Sequence, residues 1–133
     1  MKNGILRLIL WANIIWALII FLLCAMPSED IPDPHLDIPH LDKVVHFGMF
    51  FIMSLLLSCV LEHKSRLRLP AIYAIAVLAA FIYGGAIEIL QYYYFNRGGD
   101  VWDLSADVIG GIAGCLCYPL AKRLLSKLVK SEK

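Results

Sequence analysis

With 133 residues, 60% of them hydrophobic, and a mean hydropathy of +0.73, the chain is far more apolar than a soluble domain, in which about 45–50% of residues are apolar. A net charge of +1 gives no basic surface for nucleic acid, and the four cysteines follow neither a disulfide framework nor a zinc spacing. What remains is an all-α fold, a polytopic membrane bundle built as one domain from residues 1–133.

Four segments reach the roughly 20 apolar residues needed to cross a hydrocarbon core: 5–26, 44–61, 70–94 and 104–125. The first has a basic start in Lys2 and Arg7, but its apolar run exceeds a signal-peptide core of about 7–15 residues. Leu23 and Met26 also spoil small-residue cleavage patterns, and Leu23 is too large for the position before a lipoprotein cysteine at Cys24. It is expected to remain as the first helix. A proline-rich acidic stretch with Pro27, Pro32, Pro34 and Pro39 cannot run as a helix and predicts an extended loop.

The second segment opens with Asp42, Lys43 and His46. Asp42 is an expected N-cap for the amides of Val44 or Val45, and Lys43 can snorkel to the interface. His46 lies one helical turn beyond Asp42, on the face continued by Met49, Phe50 and Met53. Capping explains Asp42 and Lys43 but leaves His46 without a structural task, and an ionisable side chain inside a membrane span is by default a functional one.

A short connection joins the second and third segments, predicting an antiparallel hairpin. On the third, Gly84, Glu88 and Gln91 share a face. Glu88 lies six residues from the predicted helix end, or about 9 Å deep at 1.5 Å per residue. Desolvation alone could hold such a glutamate neutral and silent; Gln91, His46 and Arg97 are the partners that would engage it. Asn96, Arg97, Gly98 and Gly99 then form a turn, with Asp100 as the cap of the fourth segment. Asp103, Asp107, Gly110 and Gly114 form one stripe along it. The glycines predict a close helix contact, while the aspartates need a donor, for which Lys43 and Arg97 are the expected sources. Tyr92, Tyr93, Tyr94, Phe95 and Trp102 read as an interfacial aromatic belt, and Cys24, Cys59, Cys115 and Cys117 as small packing residues.

Ten of the twelve Lys and Arg residues fall before the first segment or at its start, between the second and third, or at the end of the fourth and beyond it. By the positive-inside rule both termini are cytoplasmic, and the loops carrying Lys43 and Arg97 face outward. The expected location is the cell inner (cytoplasmic) membrane, with the basic tail against anionic headgroups.

Three blocks carry a family resemblance: Asp42-Lys43-Val44-Val45-His46-Phe47, Glu88-Ile89-Leu90-Gln91, and Arg97 followed by Asp103, Asp107 and Gly110. Their order and spacing resemble the VanZ-like family, membrane proteins named for a teicoplanin-resistance determinant. Asp107 stands where that pattern commonly has asparagine. The resemblance implies an envelope function connected with glycopeptide susceptibility or envelope lipids, and supplies no established reaction.

The expected ligand-binding residues are therefore Asp42, Lys43, His46, Glu88, Gln91, Arg97, Asp103 and Asp107. Arg97 and Lys43 would meet phosphate or carboxylate, and the acidic groups would hold those cations or meet an amine. The partners are membrane lipids and a lipoglycopeptide or lipid-linked envelope precursor, with a homo-oligomer through Gly110 and Gly114 as a further option. An alternative is an enzyme acting on a lipid headgroup, with His46 and Glu88 as acid and base. Although His46, Glu88, Asp103 and Asp107 are residue types that suit a cation, no HExxH, nucleophile elbow or P-loop is present, and no cofactor or metal is expected.

Overall fold

The computed structural model describes residues 3–26, 40–95 and 99–131. Four helices follow one another: α1 (Asn3–Ala25), α2 (Leu41–Lys64), α3 (Leu69–Tyr94) and α4 (Val101–Ser131). Each is long and apolar enough to span a bilayer, so the chain is a multi-pass membrane protein. The helices start two to three residues earlier than residue hydropathy predicts, except α3, which begins within one residue. For α2 and α4 the reason is local: the His40 carbonyl and the Asp100 carbonyl and carboxylate accept from first-turn amides, which hydropathy does not register. Large apolar side chains such as Leu8, Leu78 and Leu116 are exposed all around the bundle, as expected where acyl chains are the solvent.

The caps explain where the helices begin. His40 adopts a left-handed conformation (φ 60°) before α2, and its carbonyl accepts from the amides of Lys43 and Val44 at 3.1 and 3.3 Å. Asp42 is thus inside the first turn and is not the N-cap; with the Val44 amide already bonded to His40, its carboxylate turns to Lys43. Asp100 does cap α4: its Oδ1 accepts from the Trp102 amide at 2.9 Å, and its carbonyl accepts from Asp103 and Leu104. Pro70 occupies the first turn of α3, where its missing N–H costs nothing.

Side-chain pairs give the topology. Asn13 and Trp16 of α1 donate to the carbonyls of Met53 and Met49 of α2, an antiparallel pairing. Tyr83 and Gln91 of α3 donate to Ala17 and Cys24 of α1, a parallel one. The most extensive interface joins α2 and α4, which run parallel. Bonds across it connect residues 56 to 61 apart along its length. The layout is up-down-up-down, so the start of α2, the end of α3 and the start of α4 share one end of the bundle.

Two glycines of α4 make the α2–α4 approach possible. A Cβ built on Gly110 would run into the Phe47 carbonyl oxygen, and one on Gly114 into that of Phe51. The expected glycine contact face is therefore used within the chain, against α2. Gly110 and Gly114 are both buried in that seam.

Gly110→Leu or Gly114→Leu is expected to lower stability in detergent by about 1–3 kcal/mol, the cost of overpacking, as read by thermal or denaturant unfolding. Gly48 has open space around its Cα. Gly48→Ala should therefore be neutral or stabilising by about 0.5–1 kcal/mol from helix propensity alone.

Candidate functional site

The shared end of α2, α3 and α4 gathers the ionisable side chains in two layers. In the shallower layer, the Lys43 ammonium donates to Asp100 Oδ2 at 2.8 Å, Asp103 Oδ1 at 2.9 Å and Asp42 Oδ2 at 3.0 Å. An ammonium has three N–H donors, and all three are engaged. Asp103 and Lys43 are largely covered, whereas Asp42 is half exposed.

The deeper layer holds His46, Asp107 and Glu88. His46 Nδ1 lies 2.9 Å from Asp107 Oδ1, with side-chain exposures of 6% and 0%, so the pair is cut off from water. Asp107 is also pressed against α3, where a Cβ on Gly84 would overlap its Oδ2. Gly84 therefore lends space to a carboxylate, not only to a neighbouring helix. Glu88 Oε2 accepts from the Asp100 amide at 2.8 Å, tying the end of α3 to the cap of α4. One donor atom from each of His46, Glu88 and Asp107 lies within 4.8 Å of the others. Asp107 Oδ2 and Glu88 Oε1 are buried without a hydrogen-bond partner.

Beside Glu88, between the end of α3 and the start of α4, a groove of about 230 Å³ is lined by Glu88, Ile89, Tyr92, Tyr93, Asp100 and Leu104, among others. Its walls are apolar and aromatic and its ionisable members are acidic. Tyr92, Tyr93, Tyr94 and Trp102 are well exposed around it, as an interfacial belt requires.

Six of the eight expected ligand-binding residues thus come together: Asp42, Lys43, His46, Glu88, Asp103 and Asp107. Gln91 is buried but faces away from the cluster, donating to the Cys24 carbonyl at 3.0 Å and fastening α3 to α1. Arg97 lies outside the described residues, as do the Asn96 and Gly98 positions of its turn and the proline-rich loop. Asp100, expected as a cap and not among the ligand-binding residues, is also a member of the ionic network.

At the opposite end, the sequence offered little sign of a second polar group. Tyr118 donates a short hydrogen bond to Glu62, and Lys122 reaches both Glu62 oxygens at 2.8 Å. The α2–α4 register that aligns Lys43 with Asp103 also aligns Glu62 with Lys122, a relation visible only once the two helices are known to run parallel.

A parallel α2–α4 pair with an ionic cluster at one end, closed by α3, defines a polytopic helical membrane protein with a buried acid–histidine core. A family model described as VanZ/LLP1 matches residues 8–122, and the chain belongs to that family. No curated protein and no solved structure shows a significant match to it.

The Lys43 ammonium, followed by the Trp102 amide, holds the Asp100 carboxyl below its usual value. A carboxyl held low in the folded state adds stability that is present above the ordinary carboxylate range near about pH 4 and lost as pH falls through the folded value. Lys43→Met should lower the unfolding temperature at neutral pH and flatten its decline on the acid side, measured from about pH 6 to pH 2.5. An acid limb identical to that of the parent protein would show that the network does not act on Asp100.

Proposed function

We propose that this VanZ/LLP1 family protein recognises an ammonium-bearing headgroup of an envelope amphiphile in the groove between α3 and α4. The observation that carries the reading is the charge balance around it. Among the described residues the cluster holds the carboxylates Asp42, Glu88, Asp100, Asp103 and Asp107 against Lys43 and His46. Lys43 has no N–H left for a phosphate, so the acid excess favours a cation. Apolar and aromatic walls suit the glycerol or acyl portion of a lipid, or the lipid tail of a lipoglycopeptide, beside that headgroup.

The positive-inside rule applied to the basic residues supports an outward-facing groove in the cytoplasmic membrane. Occupancy there would alter susceptibility to teicoplanin-type glycopeptides, in keeping with what the family resemblance implies. A second reading, chemistry on the headgroup, is favoured by the His46–Asp107 bond, which would orient an imidazole for proton transfer next to Glu88.

In nanodiscs, an aminoethyl phospholipid should bind more tightly than its N-acetylated analogue. Glu88→Gln should weaken the aminated lipid by about tenfold, within the range of a lost hydrogen bond to a charged group. Leu104→Trp, which fills the groove, should abolish binding of both. A parallel titration with teicoplanin separates a lipid from a lipoglycopeptide ligand. Unchanged lipid binding and unchanged glycopeptide sensitivity in both variants, at matched protein levels, would rule the reading out. Release of the free headgroup on incubation would favour the enzymatic one.

A further inference from the structure

We infer that His46, Glu88 and Asp107 form a binding site for one divalent first-row transition-metal ion of the zinc class. The three residues come from three helices, and one donor atom from each lies within 4.8 Å of the others. Ligands about 2.0–2.2 Å from an ion stand up to about 4 Å apart, so the three donors already stand close to the spacing an ion requires.

The independent observation is the pair of carboxylate oxygens that nothing satisfies. Asp107 Oδ2 and Glu88 Oε1 are buried and lack a hydrogen-bond partner, on residues that are 0% and 8% exposed. A buried carboxylate oxygen without a donor is costly, more so in a membrane span than in a soluble core. Lys43 does not relieve them, because its three donors are taken in the shallower layer. A cation seated between His46, Glu88 and Asp107 would give these under-bonded carboxylates a partner and offset the local negative charge.

The donor set narrows the choice of ion. One imidazole nitrogen with two carboxylates is a borderline set, suited to zinc, manganese or iron and poor for calcium, which takes six to eight oxygens. Three protein ligands leave at least one coordination position open, as in catalytic and not structural zinc sites. Glu88 belongs both to this set and to the wall of the groove, so the open position has a route to what the groove holds. The sequence carries no linear metal motif because no two of the donors share a helix.

This site stands apart from the headgroup reading, since metal content is measured without any lipid ligand. The full chain, purified in detergent through a histidine-free tag and stripped with a chelator, is dialysed against Zn²⁺, desalted and assayed by elemental mass spectrometry. The expected result is one zinc per chain, and a zinc-dependent rise in unfolding temperature. Glu88→Gln, which keeps the shape and an acceptor for the Asp100 amide, should bind at least about tenfold more weakly. His46→Ala should lose both the metal and the thermal response, while His40→Ala and His63→Ala, away from the site, keep both. Failure of the parent protein to retain zinc would overturn the site. So would retention of zinc at parental affinity by Glu88→Gln or His46→Ala.

Discussion

The close approach of α2 and α4 is the constraint on which the rest of the structure depends. Lipid tails are as apolar as leucine, so no hydrophobic force drives these helices together; van der Waals packing and polar bonds must do so. Gly110 and Gly114 let the α4 backbone settle on the carbonyls of Phe47 and Phe51. Once the backbones touch there, the register is set. His46 meets Asp107 at one end, Ser58 meets Cys115 further along, and Glu62 meets Tyr118 and Lys122 at the other. Polar groups at both ends thus share one steric cause in the middle.

Placing α3 against that pair converts an ion pair into a compartment. Gly84 gives the Asp107 carboxylate room, and Glu88 closes the space while holding the amide of Asp100. The result is layered. An ionic lid with one ammonium and three aspartates covers a deeper set of two carboxylates and an imidazole. In the lid each aspartate has a bond to the ammonium. In the deeper set two buried carboxylate oxygens have no donor, and this difference separates structural polarity from polarity kept in reserve for a ligand.

Much of this architecture was legible in the sequence. Hydropathy located four spans, and the spacing of Asp103, Asp107, Gly110 and Gly114 announced a polar and then a close-packed stretch of one helix face. The spacing of His46 with Met49, Phe50 and Met53 put the histidine on the buried side of α2. Other features were hidden for identifiable reasons. Periodicity tells which face is buried but not which neighbour it meets, so Gln91, on the same stripe as Glu88, was grouped with it although it turns to α1. Pairwise partners also depend on helix direction: nothing in the sequence pairs Glu62 with Lys122 until α2 and α4 are known to run parallel. The start of α2 was misplaced because a backbone conformation at His40, not a side-chain cap, begins it.

The first helix has a different standing from the other three. It contributes nothing to the described ionic cluster, and it is fastened by side chains that reach for backbone oxygens: Asn13 and Trp16 outward to α2, Tyr83 and Gln91 inward from α3. Such attachments are few, directional and spread along its length, and glycine-mediated intimacy is absent from that seam among the described residues. α1 is therefore a buttress and not a donor: the acid–histidine core draws its side chains from α2, α3 and α4, while α1 adds Ile20 and Cys24 to the apolar seam with Phe50 and Ile87 that backs those helices.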